Sequence, residues 1–414
     1  MGGFFFMTSR ARQDGIHDLP EPGWVDSVEA LDALCEEIAD VDEVAIDTEA
    51  DSYYSYREKI CLIQISAKGK DWLVDPLAGF DISRVGELLA DPTKCKLFHD
   101  GEYDVLLFQR QYGFTMENLY DTRAAEATLG SEAPGLGAVL AERFGIELDK
   151  SLQRSDWGKR PLTDKQIAYA RLDTRFLSEL RREQTQELER RGLMQVLEGE
   201  CRRLEAIRTE WPEFNPDGWA KLKGARALDP RARRNARELF ILRDRLARER
   251  DQACFRVFSN QAVIEIARRA PETEKQLSDV QGVSRGIVRR IGGDILDALD
   301  DADELEPIRE MPPKPLKEGE VVLDEAGGEL QDRLKSWRRE EAERAGYDAS
   351  LVLHRLSMAR IAREQPKSAD AIGQIEGVQT WQAEVHGEAL AEVVRNFKAD
   401  ESSGRWKPRR RRRR

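Results

Sequence analysis

The fold is decided by residues 42–49, which read Asp42-Glu43-Val44-Ala45-Ile46-Asp47-Thr48-Glu49. Residues 42–47 of this run predict a strand with an apolar centre, and two acids, Asp47 and Glu49, stand at its end. Residues i and i+2 of a strand point to the same face, so both carboxylates can approach one point. Like charges at such a distance repel unless protons or cations compensate, which makes the strand end a candidate site for a divalent cation. Taken alone, two acids near a strand end are more often a solvated turn.

Further strands and a set of helices surround this stretch. Short apolar runs predict strands at 61–66, 71–75 and 96–98. Amphipathic segments predict helices at 27–39, 83–90, 102–111 and 121–129. A long helix is expected from Thr163, which has capping-box spacing with Gln166, to about Arg190. Strands that alternate with helices predict an α/β layer with a mixed sheet.

Two further acids occupy helical positions. Asp104 is expected in the first turn of the helix that follows strand 96–98, where the helix dipole alone also favours acids. Asp173 follows Tyr169 by four residues, so the two side chains share one face of the long helix. We expect Asp173 to lie mid-helix, where aspartate is a poor helix former and has no capping role. Asp173 is therefore the acid that local structure explains least.

The second half of the chain predicts helices only. Helical patterns cover 229–250, 257–269, 273–280 and 284–299, and they return between Glu329 and Phe397. The two blocks match at an offset of 95 residues, which places Pro271 on Pro366 and Gly282 on Gly377. Matching apolar positions carry little weight, because helix periodicity alone produces them. Coincident Pro and Gly positions, where the backbone must turn, indicate a duplicated module.

The order of these patterns divides the chain into segments, with Pro and Gly breaks at the boundaries. The predicted segments are a flexible N-terminus (1–20), an α/β domain (21–210), a linker (211–227), a helical domain (228–305), a Pro-rich linker (306–328), a second, degenerate helical domain (329–398) and a basic tail (399–414).

Composition narrows the partners and the compartment. The formal net charge is −12, yet residues 221–250 hold 11 Lys or Arg against four Asp or Glu, so the charge is patchy. The five cysteines lack metal-binding spacing, which favours a reducing, cytoplasmic compartment over zinc or disulfides. No apolar run approaches the roughly 20 residues of a membrane span, so no membrane partner is expected. A monomer is the default expectation.

Three acidic motifs together resemble the DEDD exonuclease superfamily, in its tyrosine-bearing branch, and within it the ribonuclease D family. The matching stretches are Val44 to Glu49, His99-x-Gly101-x-x-Asp104, Asp121-Thr122, Lys150-Ser151, Ser155-Asp156-Trp157, Arg160-Pro161-Leu162 and Tyr169-x-x-x-Asp173. The last motif discriminates, because the histidine branch carries its general base five residues before the final Asp, where this chain has Ala168. The resemblance covers residues 21–210 and implies a ribonuclease H-like exonuclease fold with a mixed sheet.

The resemblance implies a 3′→5′ exoribonuclease that uses two divalent metal ions, Mg²⁺ or Mn²⁺. Asp47 would bridge the two ions, with Glu49 and Asp173 completing one site and Asp104 holding the other ion through water. Tyr169 would orient the attacking water, alongside Glu49. Products would be nucleoside 5′-monophosphates.

Other polar residues in these motifs are weaker candidates. Lys150, Lys159 and Arg160 are tentative contacts for substrate phosphates, with ordinary solvated charges as the equal alternative. His99 is a tentative nucleic-acid contact as well, although a packing or hydrogen-bonding role is favoured. We interpret Asp121 as a helix cap, and Asp156 as a structural residue.

The helical block 228–305 resembles the HRDC domain, and block 329–398 resembles a degenerate second copy in which His354 replaces Ser259. The resemblance rests on Leu239, Leu242-Arg243, Ala247, Asp251, Val257-Phe258-Ser259, Leu277, Val280 and Gly282-Val283. It implies accessory nucleic-acid binding, and a packing scaffold is the alternative. The run Arg409–Arg414 is expected to be disordered and able to bind RNA.

Three functions are compatible with these residues. The first is an exoribonuclease that trims single-stranded 3′ ends of structured RNA, with tRNA precursors as the expected substrates. The second is a DNA exonuclease of proofreading or repair type, which the tandem HRDC-like modules and the absence of a polymerase or helicase domain disfavour. The third is a nucleic-acid-binding protein with an inactive nuclease fold, which the presence of all four acids and Tyr169 disfavours.

Overall fold

The structure is a computed structural model that describes residues 20–313 and 320–408. The predicted flexible N-terminus, apart from its last residue, lies outside the described residues, and so do residues 314–319 of the Pro-rich linker. The arginine run 409–414 also lies outside them.

Within the described residues, a six-stranded mixed sheet forms the centre of the first domain. Its strands are β1 (Gly23–Val25), β2 (Glu43–Ala50), β3 (Ile60–Ala67), β4 (Lys70–Val74), β5 (Cys95–Phe98) and β6 (Leu119–Asp121). They lie in the order β1-β4-β3-β2-β5-β6. Strand β2 pairs antiparallel with β3 and parallel with β5, so the strand that carries Asp47 and Glu49 lies inside the sheet. The predicted α/β class is confirmed.

Helices cover this sheet and complete its core. They are α1 (Val28–Glu37), α2 (Ser83–Ala90), α3 (Glu102–Tyr112), α4 (Thr122–Thr128), α5 (Leu136–Phe144), α6 (Asp164–Arg175), α7 (Leu177–Arg191) and α8 (Met194–Glu205). Every residue of β3 is buried, because helices pack against the central strands. Burial of such apolar strands is the main stabilising contribution to a domain of this kind.

The long helix predicted from Thr163 to Arg190 is wrong, because the chain forms two helices there. Helix α6 begins after Thr163 with the predicted capping box to Gln166, and it ends at Arg175. Phe176 leaves the helical conformation (φ −105°, ψ 2°), and its ring stacks on Phe144 with centroids 5.7 Å apart. Tertiary packing therefore accompanies a break that no Pro or Gly marks. Asp173 consequently lies in the last turn of α6, and its predicted mid-helix position is wrong as well.

The second half of the chain contains two copies of one helical module. The first copy comprises α9 (Pro230–Glu249), α10 (Cys254–Val257), α11 (Asn260–Arg269), α12 (Glu274–Ser278) and α13 (Arg285–Asp303). The second comprises α14 (Glu325–Ala345), α15 (Ala349–Val352), α16 (Arg355–Glu364), α17 (Ala369–Gly373) and α18 (Thr380–Ser402). Each helix of the second copy begins 95 residues after its counterpart, as Glu325 does after Pro230. Gly282 and Gly377 both have positive φ, 89° and 82°, at the turn that the repeat predicted.

The segment 211–227 was predicted to be a linker, and its second part instead belongs to the first helical module. Residues Pro216–Lys221 and Ala225–Ala227 form short 3-10 helices. The indole of Trp219 is fully buried in the core of that module. The Pro that suggested a break starts a helical turn here, because proline fits the first turn of a helix.

Both helical modules contact the first domain. The backbone N–H of Ala253 donates to the carbonyl of Tyr54 at 3.1 Å, which joins the first module to the loop after β2. In the second module, the indole of Trp381 packs against Gly199 of α8. A Cβ atom added to Gly199 would lie 2.3 Å from the Nε1 of that indole. Among the described helices, none combines the length and hydropathy that a bilayer crossing requires.

Candidate active site

Three carboxylates converge where β2 meets the end of α6. Asp47 and Glu49 project from β2, and Asp173 projects from the last turn of α6, which packs on β2 and β3. One ligand atom from each of the three residues lies within 4.8 Å of the others. The i, i+2 spacing on the strand brings the first two together, as predicted, and the helix supplies the third. Three oxygen donors at this separation can hold a divalent cation.

Asp104 lies beside this cluster, in the first turn of α3 as predicted. Its Oδ1 accepts a hydrogen bond from the Thr48 hydroxyl at 2.5 Å. Burial is the main cause of the raised pKa of Asp47, and the charge of Asp104 is the second cause. The two carboxylates are therefore close enough to repel each other. Asp104 is not part of the set of three whose oxygens lie within 4.8 Å of one another. Thr48, which the sequence did not single out, thus fixes the orientation of the fourth acid.

Burial raises the pKa of all four acids, and the charges of neighbouring carboxylates raise each pKa further, that of Asp121 in the case of Asp104. The pKa of Asp104 rises to about 7, and the pKa of Asp173 rises to about 8, with burial as the first cause in both cases. Burial raises the pKa of Asp47 and of Glu49 well above the usual carboxyl range, and the neighbouring carboxylates raise both further. Without a cation, this site therefore retains protons near neutral pH, and a divalent ion must displace them to bind.

This proton retention predicts how Mg²⁺ stabilises the protein at different pH values. The folded-state pKa values of about 7 and about 8 lie above the unfolded carboxyl value of about 4. The metal-free protein therefore loses stability as the pH rises from about 4 to about 8. Mg²⁺ binds the deprotonated acids, and we expect it to raise Tm more at about pH 8 than at about pH 6. Thermal unfolding with Mg²⁺ or EDTA measures this difference, and an equal Mg²⁺ shift at both pH values would contradict it. The variant Asp173→Asn serves as the control, because the pH-dependent part of the shift should shrink in it.

Tyr169 lies one helical turn before Asp173, and the two side chains are hydrogen-bonded. Its ring is buried and packs on Trp157, with centroids 6.1 Å apart. Burial and the charges of Asp173, Glu49 and Asp47 raise the pKa of the Tyr169 phenol. The phenol therefore stays protonated and can donate a hydrogen bond into the site.

A cleft of about 410 Å³ opens at the acids. Its remaining lining includes Ser52, His99, Asp100, Tyr103, Arg123, Gly135, Leu136 and Gln153. Apart from His99, none of these residues could be identified as substrate-facing from the sequence, because they lie in loops and helix starts that converge only in the fold. His99 Nδ1 lies 2.9 Å from the Thr122 hydroxyl, and burial lowers the pKa of His99 to about 4. His99 is therefore a neutral, hydrogen-bonded wall residue.

Two of the candidate phosphate contacts, Arg160 and Lys159, have different surroundings in the fold. Arg160 has a structural role. Its guanidinium donates to both carboxylate oxygens of Asp75 and to the carbonyls of Cys61, Trp157 and Lys159. These bonds use the five N–H donors of arginine, which argues against the predicted phosphate contact. Lys159 is 79% exposed at its side chain.

Lys150 and Asp121 also belong to these motifs. The side chain of Lys150 lies outside the described residues. Asp121 caps α4 as predicted, because it accepts a hydrogen bond from Ala124 N at 2.8 Å.

The role of Arg160 can be tested directly. Replacing Arg160 with Gln leaves the buried Asp75 carboxylate without its ion pair, and we expect a loss of about 3 kcal/mol in the free energy of unfolding. Chemical denaturation measures this loss, and the exposed neighbour Lys159→Gln should change stability little. If the Arg160 variant kept full stability but bound RNA more weakly, Arg160 would be a substrate contact after all.

Comparison with known proteins defines the class of this site. Residues 22–189 match the family model described as 3′-5′ exonuclease, and residues 233–299 and 328–394 each match the HRDC domain. The chain is thus a 3′-5′ exonuclease with two HRDC domains, and the second, degenerate copy is confirmed as one of them.

Relatives along most of the chain specify the family. Ribonuclease D of Desulfotalea psychrophila is 30% identical over 276 residues, which are 66% of this chain and 74% of that protein. Ribonuclease D of Cronobacter turicensis is 28% identical over 372 residues, 89% of this chain and 99% of that protein. The crystal structure of Escherichia coli RNase D, described as an exoribonuclease involved in structured RNA processing, superposes with a TM-score of 0.64 at 26% identity, over 91% of this chain and all of that one. The chain belongs to the ribonuclease D family and is a 3′-5′ exoribonuclease, and its family depends on divalent metal ions.

Proposed function

We propose that this chain hydrolyses RNA from the 3′ end with two divalent ions held by Asp47, Glu49, Asp104 and Asp173. The observation that carries the proposal is the convergence of three carboxylates, the half-buried Asp47 and Glu49 and the buried Asp173, within 4.8 Å, with Asp104 beside them. Their raised pKa values fit a site that is electrostatically incomplete without cations. Oxygen ligands favour Mg²⁺ or Mn²⁺ over softer metals.

Each residue has a distinct part in this proposal. Asp47 would help to hold both ions, Glu49 and Asp173 would complete one site, and Asp104 would hold the second ion through water. When bound, such a pair of ions activates a water molecule and neutralises charge on the phosphoryl group and the leaving oxygen. The protonated phenol of Tyr169 donates a hydrogen bond that orients the attacking water, alongside Glu49. Cleavage of the terminal phosphodiester on its 3′-oxygen side releases nucleoside 5′-monophosphates.

The substrates in this proposal are tRNA precursors or other structured RNAs with unpaired 3′ ends. A cleft of about 410 Å³ has the size of about one or two nucleotides, which supports entry of an unpaired 3′ end in preference to a duplex. The similarity to the E. coli enzyme, described as acting in structured RNA processing, supports the same substrate class. A cytoplasmic location and a monomeric state remain predictions.

One assay tests the proposal. Purified protein is incubated with a 3′-extended tRNA precursor and with matched single-stranded DNA, in Mg²⁺, Mn²⁺ or EDTA. We expect stepwise shortening of the RNA, nucleoside 5′-monophosphates as products and no cleavage in EDTA. Preferential cleavage of the DNA, or cleavage that persists in EDTA, would overturn the proposal.

A further inference from the structure

Two exposed aromatic rings meet at the boundary between the exonuclease domain and the first HRDC domain. Tyr53 lies in the loop after β2, and Phe255 lies in α10. Their rings form an edge-to-face pair with centroids 6.3 Å apart and an interplanar angle of 73°. Tyr53 nevertheless stays 43% exposed and Phe255 50% exposed. Packing between the domains thus leaves a large part of both rings open to solvent.

This aromatic pair continues the wall of the active-site cleft. Ser52 and Gln153 line the cleft, and each is followed directly by a residue of the exposed patch, Tyr53 and Arg154. The Arg154 guanidinium carbon lies 5.9 Å from the centroid of the Tyr53 ring. A chain that leaves the cleft along this wall would meet the two aromatic rings next.

The loop that carries Tyr53 is held in place from both domains. The N–H of Tyr54 donates to the carbonyl of Asp51 at 2.7 Å, and the Tyr54 carbonyl accepts from Ala253 at 3.1 Å. Arg256 donates to the carbonyl of Tyr53, and its guanidinium carbon lies 4.1 Å from the centroid of the Tyr54 ring. A ring fixed in this way loses little conformational entropy when a ligand stacks on it.

The charges beside the rings indicate the ligand. Arg154 and Arg256 are both exposed, and neither forms an ion pair with an acid in the part of the chain that the structure describes. Their presence is notable in a chain with a net charge of −12. Partly exposed aromatic rings beside arginines without an acidic partner are a combination that binds single-stranded nucleic acid, because bases stack on the rings and phosphates pair with the guanidinium groups.

We propose that Tyr53 and Phe255 form a stacking platform for unpaired RNA nucleotides immediately 5′ of those in the cleft, with Arg154 and Arg256 at their phosphates. This inference rests on the proposed exonuclease function and deepens it. The platform joins residues of two domains, so the first HRDC domain takes part in substrate binding by completing it. RNA whose unpaired 3′ tail is too short to leave the cleft cannot reach the platform and gains nothing from it.

The test compares binding of two RNA lengths. Fluorescence anisotropy in EDTA measures the Kd of Asp47→Asn protein for a single-stranded 12-nucleotide RNA and for a 2-nucleotide RNA, with and without Tyr53→Ala and Phe255→Ala. We expect the double replacement to weaken binding of the 12-nucleotide RNA about tenfold or more, the usual scale for a lost base stack. Binding of the 2-nucleotide RNA should change less than about twofold, because it is confined to the cleft.

Conservative variants separate stacking from packing. Tyr53→Phe with Phe255→Tyr keeps both rings and should retain the parent affinity, whereas Tyr53→Leu with Phe255→Leu keeps apolar contact and should bind the long RNA as weakly as the alanine pair. Unchanged affinity of the alanine pair for the long RNA would overturn the proposal. An equal loss for both RNA lengths would also overturn it, since that indicates damage to the cleft. These binding measurements need no cleavage, so a failure of the proposed chemistry in the precursor assay would be recognised separately.

Discussion

Asp47→Asn is expected to slow release of nucleotides from RNA about a thousandfold or more. The Asp47 carboxylate lies within 4.8 Å of Glu49 and Asp173, and in the proposed site it would help to hold both ions. Asparagine keeps the shape of the side chain and removes the charge that holds the cations. A bound metal pair contributes several kcal/mol to transition-state stabilisation, and each 1.36 kcal/mol corresponds to a factor of ten in rate. The fold should persist, because the change also removes a repulsive buried charge.

Single-turnover cleavage of a 3′-tailed RNA in saturating Mg²⁺ measures this loss, with thermal unfolding as the check on folding. The control is Asp40→Asn, which neutralises an exposed acid before the same strand, remote from the cleft. That variant should cleave at the parent rate. Undiminished cleavage by Asp47→Asn would remove the metal-site assignment.

Tyr169→Phe is expected to lower kcat about a hundredfold while Mg²⁺ binding stays close to normal. The change removes only the hydroxyl, so the ring keeps its packing on Trp157, with centroids 6.1 Å apart in the parent. What is lost is a protonated donor beside Asp173, to which we assign the orientation of the attacking water. Positioned proton donors and acceptors typically contribute factors of about 10² to 10⁴ in rate.

Steady-state kinetics on RNA and calorimetric titration of Mg²⁺ measure the two quantities separately. Tyr112→Phe is the matched control, because it removes a phenol hydroxyl from the end of α3, outside the cleft lining. If Tyr169→Phe cleaved at the parent rate, Tyr169 would serve only to pack the helix. If it lost Mg²⁺ binding as well, its part would be to hold Asp173.

The sequence predicted the sheet well where the strands are long enough to show a pattern. The stretches 61–66, 71–75 and 96–98 are strands, each within one residue of the predicted bounds. Strands β1 and β6, which have three residues each, were not predicted. The repeat was predictable for a different reason: Pro and Gly turns recur at the same offset, and backbone conformation requires them there.

The acids of the site were predictable, but their surroundings were not. Motif spacing led to Asp47, Glu49 and Asp173, which the fold brings together. Thr48 lies inside the quoted stretch, yet its bond to Asp104 depends on how α3 approaches β2 and leaves no mark on the sequence. Arg160 was considered as a phosphate contact because its ion pair is not visible in the sequence. Its partner Asp75 is 85 positions away, and only the fold shows that the two charges are paired.

The boundaries of the helical half show why local composition misleads. Pro216 and Gly218 predicted a linker, whereas the next residue, Trp219, is fully buried in the core of the first HRDC domain. At Phe176 the error is the opposite one. The sequence contains no Pro or Gly there, yet the helix ends, and the Phe176 ring stacks on Phe144. Tertiary contacts override local propensity in both places.

The central claim is that four acids hold two divalent ions, and anomalous X-ray scattering tests it most directly. Crystals of the protein soaked with Mn²⁺ and a nucleoside 5′-monophosphate are measured near the manganese absorption edge. We predict two anomalous peaks in the cleft, both contacting Asp47, one of them also beside Glu49 and Asp173, and the other on the Asp104 side. A single peak, or peaks away from Asp47, would contradict the account.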